Sequence, residues 1–449
     1  MSTPFFTIAI PTKNRPDRVG NAIRSVLEQS FADFEVVLCD NSDADKSAAT
    51  AAIVEAFDDP RVRYVRTNGQ LSMPDNWEHA VGTARGEYVG VLTDRSVFRP
   101  DALAVVHREI EETGAKLVTW LNDLYGRDPS GKQFKRRDCT LKRYRHTSGA
   151  LLDYFVHGNP KYATKVIPKL MTSVCHRSIL EAIRASPAGR CCPPVAPDFT
   201  SGFLMLAHCE WVLMIDEALY VSSGTGNGME FRRGGVLANR FLSDLGMQPH
   251  EVVDRMPSDA CFAFALVLND LMRVRDAVPD LLPDVELDRT QYYLGCLNDY
   301  VKTAHHSSAR DDDLEALLAA LEREPEEIES RVKSARLYKR AVAPGGVAVK
   351  AGIKVVEPSP AFETVFDALA WDAAHPREAA ESSHAELTYG LDQLLPKPRS
   401  RPPRVAKPPK PPKTPKPPKP PKPPKPPKTV AGQVGARVRG ILNLARGPR

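Results

Sequence analysis

The feature that most limits how this chain can fold is a repeated unit, a short apolar run that stops at a polar residue and leads into a helical stripe. "FFTIAI" (5–10) reads as a buried strand ended by Pro11. Asn14 to Asp17 suit a loop and helix start, and Val19, Ile23, Val26 and Leu27 recur at helical spacing. "FEVVLCD" (34–40) is a second strand, ending at Asp40-Asn41-Ser42, with a helix expected around 47–57. "VRYVR" (62–66) is a third, followed by a helix over roughly 74–84, and "EYVGVLTD" (87–94) is a fourth, ending at Asp94. Strands alternating with helices imply a parallel α/β sheet.

In such sheets ligands bind beyond the carboxyl ends of the strands. Pro11 to Asn14, Asp40 to Ser42 and Thr93 to Arg95 all follow strand ends, so they are expected to converge on one edge. The competing reading is that Asp and Asn end strands because they make good turns. Beyond residue 100 the pattern predicts a helix (101–113), a strand "KLVTWL" (116–121) and a basic irregular stretch (126–145). "TSVCHRSILEAI" (172–183) reads as a strand running into a helix, and "APDFTSGFLMLAH" (196–208) puts Asp198 at the start of an apolar helix. Residues 250–275, 288–304 and 312–337 read as a C-terminal helical subdomain, and His305-His306 lacks partner ligands in the sequence.

Charge divides the chain in two. From Pro396 onward there are 16 Lys and Arg and no acidic residue, which leaves the first 395 residues with a net charge of −11. An acidic body argues against nucleic-acid binding. Eight cysteines without CxxC or zinc-finger spacing fit free thiols in a reducing compartment. The N-terminus has no basic segment before its apolar run, and no stretch is apolar enough to span a bilayer. A cytoplasmic body is expected.

The opening "TIAIPTKNRPDRVGNAIRSVLEQSFADFEVVLCDNS", then "DPRVRYVR" and "MPDNWEHAVGTARGEYVGVLTD", resemble the family 2 glycosyltransferases of the GT-A fold over roughly residues 4–235. That resemblance implies a GT-A, Rossmann-like, mostly parallel sheet flanked by helices, and an enzyme moving a sugar from a nucleoside-diphosphate donor to a saccharide or lipid-linked acceptor. With the composition and periodicity of the rest, the chain is expected to divide into a GT-A domain (1–240), a mostly helical accessory region (241–395), a Pro/Lys-rich disordered linker (396–428) and a basic amphipathic segment (429–449). The resemblance places Pro11, Thr12 and Asn14 in the first loop of the nucleotide pocket and Asp40-Asn41 at the base-contacting pair. Asn76 falls near the same pocket, Asp94 at the first acidic residue of the DXD-like signature, and Asp198 at the general base. Cys175-His176-Arg177 fall in the acceptor-side segment, and 222–228 in a flexible lid. A helix N-cap is the alternative role for Asp198.

Arg95 departs from the family pattern, where an acidic residue is expected to help bind Mn²⁺ or Mg²⁺ through hard oxygens. Three arrangements stay open. Asp94 alone holds the metal, with diphosphate and water completing the shell. Arg95 pairs with the diphosphate through its planar fork and replaces the metal. Or donor binding is lost, and the domain serves as a catalytically silent glycan- or nucleotide-binding scaffold.

The tail "KPPKPPKTPKPPKPPKPPKPPK" (407–428) carries a lysine at every third position. Its proline density favours polyproline II, in which those lysines lie along one edge about 9 Å apart. Val430, Val434, Val438, Ile441 and Leu442 then recur at helical spacing among arginines. A polybasic run followed by a basic amphipathic segment is expected to contact an anionic membrane surface at the inner face of the cell membrane. A solubilising tail, a polyanion tether and a proline-rich protein ligand are the alternatives.

Overall fold

The computed structural model describes residues 3–128, 131–223, 241–303, 309–342 and 362–382. Its centre is a ten-stranded sheet in the order β3-β2-β1-β4-β9-β6-β10-β5, with β7 added to β6 and β8 to β10. The N-terminal half is the expected alternating unit. It comprises β1 (Phe6–Thr12), α1 (Pro16–Leu27), β2 (Phe34–Asp40), α2 (Ala44–Glu55), β3 (Val62–Arg66), α3 (Met73–Gly82) and β4 (Tyr88–Val91), all four strands parallel. Side chains along β1 alternate between two cores. Phe6, Ile8 and Ile10 meet Val19, Ile23 and Val26 of α1, whereas Ala9 joins Trp77 and Val81 of α3 on the opposite face. Pro16 opens α1 at a position where no backbone N–H is needed, and Ser72 caps α3 by accepting from the Asp75 amide at 3.3 Å.

Past β4 the sheet becomes mixed. β5 (Ser96–Phe98) and α4 (Ala102–Thr113) lead to β6 (Leu117–Asp128), β7 (Gly131–Lys135) and β8 (Arg143–Thr147). The basic stretch read as irregular is therefore largely strand. α5 (Ser148–His157) and α6 (Pro160–Val166) precede β9 (Ser173–His176), which runs antiparallel to both β4 and β6. α7 (Arg177–Ala185), α8 (Pro197–Ala207) and β10 (Trp211–Ser223) complete the layer, with β10 parallel to β6.

The later helices are α9 (Ala263–Ala277), α10 (Arg289–Thr303), α11 (Ala309–Leu321), α12 (Glu326–Ser334) and α13 (Arg336–Ala341). Phe264, Leu268, Leu271 and Tyr293 of α9 and α10 share one continuous core with Phe155 of α5 and Phe203 of α8. α14 (Val365–Ala374) covers Val97, Phe134 and Val221 at the far end of the sheet. It is fastened there by charge. Asp123 and Asp372 are buried and share Arg99 and Arg377, and Arg136 adds a contact to Asp372 at 2.5 Å.

All eight cysteines are free thiols. No helix among the described residues is long and apolar enough to cross a membrane. Residues 224–228 of the expected lid, the pair His305-His306 and the tail from 396 lie outside the described residues.

Candidate active site

Strand register builds the site. Thr12 pairs with Asp40 across β1 and β2, and Ala9 pairs with Val91 across β1 and β4. Three residues beyond that second pair, Thr12 and Asp94 meet, and the Thr12 hydroxyl donates to Asp94 Oδ2 at 2.9 Å. The Thr12 carbonyl accepts from the Asn41 amide at 3.0 Å and from Asn76 Nδ2 at 3.2 Å. The three strand ends thus converge as their positions in the sequence imply.

Several of these residues hold loops together. Asp40 is fully buried, its Oδ1 accepting from the Ser42 amide at 3.0 Å and its Oδ2 from the Tyr64 hydroxyl at 2.8 Å. Asn41 grips the backbone of Leu71 in both directions. Its Nδ2 donates to the Leu71 carbonyl, and its Oδ1 accepts from the Leu71 amide, each at 2.8 Å. That carbonyl, expected to face a nucleobase, also accepts from the Thr67 hydroxyl at 3.1 Å. Asn14 has φ 59°, a left-handed conformation that Asn tolerates better than most residues. Its amide donates to Ser42 Oγ at 2.7 Å, tying the loop after Pro11 to the one after β2. Asn76 differs, because its buried Oδ1 has no hydrogen-bond partner.

Asp94 is 3% exposed on the turn between β4 and β5, and its second oxygen accepts from Arg15 Nη1 at 3.2 Å. Arg95, next along the turn, has a buried Nε without a partner. Burial lowers its proton affinity, as do Arg15 and Arg18, while Asp94 and Tyr220 support its charge. This donor set does not fit a divalent cation. Asp94 is a single carboxylate with both oxygens engaged, the adjoining side chain is a guanidinium, and no group of three or more His, Cys, Asp or Glu suited to a metal occurs among the described residues.

Asp198 lies in the first turn of α8 behind Pro197. Burial raises its carboxyl above the usual carboxylate range, against the opposing pull of Lys169, the amides of Asp198 and Phe199, and Arg95. Asp94 thus supports the charge of Arg95, and Arg95 in turn opposes the upward push on Asp198. The loop before α8 is held from behind by Asp270 of α9, whose oxygens accept from the amides of Val195 at 3.0 Å and Ala196 at 2.9 Å.

Cys175, His176 and Arg177 do not join this site. β9 is antiparallel to β4, with His176 opposite Tyr88, so these residues sit at the amino edge of the parallel strands. Cys175 is buried, His176 caps α7 by accepting from the Ser178 amide, and Arg177 donates to the Gly86 carbonyl at 2.7 Å. Near them a cavity of about 390 Å³ mixes Arg85 and Arg177 with Glu87 and Glu181. The sequence reading missed Arg15, Lys169 and Asp270. Arg15 stands in the quoted first loop. Asp270, an acid within the apolar run of α9, was a readable anomaly.

An α/β sheet with convergent polar loops at the carboxyl edge of its parallel strands defines a ligand-binding domain of the Rossmann-like class. Residues 7–164 match the family described as glycosyl transferase family 2. It is 32% identical over 115 residues to the succinoglycan biosynthesis protein ExoO of Rhizobium meliloti, a match covering 26% of this chain and 32% of that protein. It is 25% identical over 122 residues to the putative colanic acid biosynthesis glycosyl transferase WcaA of Escherichia coli, covering 27% and 43%. A Campylobacter jejuni GalNAc(5)-diNAcBac-PP-undecaprenol beta-1,3-glucosyltransferase is 26% identical over 110 residues, covering 24% and 35%. The chain thus spans less than half the length of each of these relatives. Among solved structures, S. aureus TarS 1–349 in complex with UDP-GlcNAc aligns at TM-score 0.43 and 14% identity, covering 73% of this chain and 83% of that one.

Proposed function

We propose that the protein is an inverting glycosyltransferase that takes a sugar from a nucleoside-diphosphate donor to a saccharide or lipid-linked acceptor during surface polysaccharide assembly. The observation that carries the reading is the meeting of Thr12, Asn41, Asn76 and Asp94 at the carboxyl edge of the parallel strands, where Arg15 pairs with Asp94 at 3.2 Å. Arg95, next to Asp94, also pulls the Asp198 carboxyl down. The relatives' names, which include succinoglycan and colanic acid biosynthesis, support the polysaccharide assignment.

In this mechanism the acceptor hydroxyl gives its proton to the Asp198 carboxylate as its oxygen bonds to the anomeric carbon. The bond between that carbon and the diphosphate oxygen breaks, and its electron pair leaves with the diphosphate. Arg15 and Arg95 receive the growing negative charge, a role for which guanidinium geometry suits phosphate oxygens. Asp94 orients Arg15 and the donor ribose. No step uses a divalent cation.

A donor panel tests this. One class of nucleotide sugar is expected to raise the melting temperature and to be hydrolysed slowly to its nucleoside diphosphate, with EDTA leaving both unchanged. Loss of turnover in EDTA with recovery in Mn²⁺ would remove the arginine-for-metal assignment. No donor response at all would leave the silent binding scaffold, a reading favoured by Asp94 and Asn41 being engaged within the protein. The tail is assigned to anionic membrane contact at the inner face. Equal liposome flotation with and without residues 396–449 would rule that out.

A further inference from the structure

We propose that a second cavity, beside Asp198, is a subsite for an oxyanion carried by the acceptor, a phosphate or a carboxylate group. The assignment to the acceptor rests on the glycosyltransferase reading above; the anion binding itself does not. The cavity measures about 90 Å³ and is lined by Arg137, Lys165 and Lys169, by Thr119 and Thr172, and by the buried Met214. No carboxylate lines it. The first 395 residues carry a net charge of −11, so three cations around one small space run against the local average.

Arg137 is the pivot. Its backbone is anchored, the amide donating to Asp123 Oδ1 at 2.8 Å and the carbonyl accepting from Arg377 at 3.3 Å. Its half-buried guanidinium has no hydrogen-bond or ion-pair partner among the described residues. A fixed, unpaired guanidinium is suited to bidentate contact with phosphate or carboxylate, and the lysines add point charges. The volume takes one oxyanion group and is small for a sugar ring.

Two relationships place this group on the acceptor side. Lys169 Nζ lies 4.4 Å from the centre of the Phe199 ring, directly after Asp198, and is the foremost charge acting on that carboxyl. The donor side is marked instead by Thr12, Arg15 and Asp94 at the ends of β1 and β4, whereas Thr119 and Met214 belong to β6 and β10. An anion seated by Lys169 offsets that lysine's pull on Asp198, so the bound acceptor itself would favour proton uptake by the base.

Calorimetric titration of the full chain with inorganic phosphate, methyl phosphate and glucuronate, each with and without saturating UDP, tests the proposal. Binding is expected in both conditions, weakened at least tenfold in Arg137→Ala and in Lys165→Glu, and weakened by salt. Tighter binding of methyl phosphate identifies a phosphorylated acceptor, and tighter glucuronate an acidic sugar. Phosphate binding that UDP abolishes would assign the cations to the donor and overturn the proposal, as would equal affinity in wild type and both variants. Asp198→Asn is expected to retain anion binding while losing transfer, which separates failure of this subsite from failure of the enzyme reading. Thermal melts of Arg137→Ala and Lys165→Glu check that both half-exposed or exposed positions leave the fold intact.

Discussion

Asp270 of α9 accepts hydrogen bonds from the adjacent amides of Val195 and Ala196, so a helix more than seventy residues downstream fixes the entry to the helix that carries Asp198. An amide side chain cannot reproduce this, because its NH₂ would face a backbone N–H. Asp270→Asn is expected to lower stability by about 1–3 kcal/mol, the range for a buried donor left unsatisfied. Its transfer rate should fall while donor affinity stays within twofold. A variant that loses donor affinity equally would show that Asp270 supports the whole domain and not the base.

Burial pushes the Asp270 carboxyl up to about 7, from an ordinary value of 3.8, against the two amide bonds and Arg273. Because the folded value is the higher one, the folded state holds this proton more tightly. The contribution is fully present below about pH 4 and is lost as pH rises toward 7. Chemical denaturation from pH 4 to 8 is expected to show this decline in wild type and its absence in Asp270→Asn. Parallel profiles would contradict it.

Asp198→Asn keeps the volume and removes the carboxylate proposed as base. Transfer is expected to fall by about 10²–10⁴, the usual weight of a general base. The melting shift produced by donor should persist. Unchanged acceptor transfer would take Asp198 out of the mechanism and leave it a helix-start residue.

Arg95 and Arg15 are separable by their partners. Arg15→Ala removes the ion-pair partner of the buried Asp94 and is expected to reduce both stability and donor binding. Arg95→Ala relieves a buried, unpaired Nε and is expected to hold or raise stability while turnover falls at least tenfold. Donor hydrolysis and urea unfolding on the two variants check the contrast, and a loss of stability in Arg95→Ala would contradict it.

Truncation probes α14. A chain ending at 395 is expected to melt with the full protein. One ending at 361 loses the cover over Val97, Phe134 and Val221 and leaves Asp123 with Arg99 alone. The second loss is expected to cost about 3–5 kcal/mol, as when one partner of a buried ion pair is removed. Equal unfolding midpoints for the two chains would show that α14 only rests on the sheet.

What the sequence disclosed follows from periodicity. β1 to β4 alternate with amphipathic helices, so their ends, and with them Thr12, Asp40, Asn41 and Asp94, could be placed at one edge. The direction of β9 could not be read, because a four-residue apolar strand carries no signal of its orientation. Cys175 to Arg177, expected in the acceptor-side segment, lie at the amino edge of the parallel strands. Asn41 shows a different limit. Residue type gave its hydrogen-bonding capacity but not its partner, and Leu71 thirty residues later takes up both ends of the amide. The place of Asp94 at the strand edge was legible, whereas its pairing with Arg15 depends on how the first loop curls, which no spacing rule encodes.

The charge cluster at α14 also sets an order of events during synthesis. Asp123 is fully buried, yet one of its two guanidinium partners, Arg377, is made 254 residues later. At about 5–20 residues per second, that interval is on the order of 10–50 s. Throughout it the far end of the sheet carries an acid with one of its two guanidinium partners and an uncovered apolar face. The N-terminal half can form its parallel strands early, but its electrostatic closure waits for nearly the whole body to leave the ribosome.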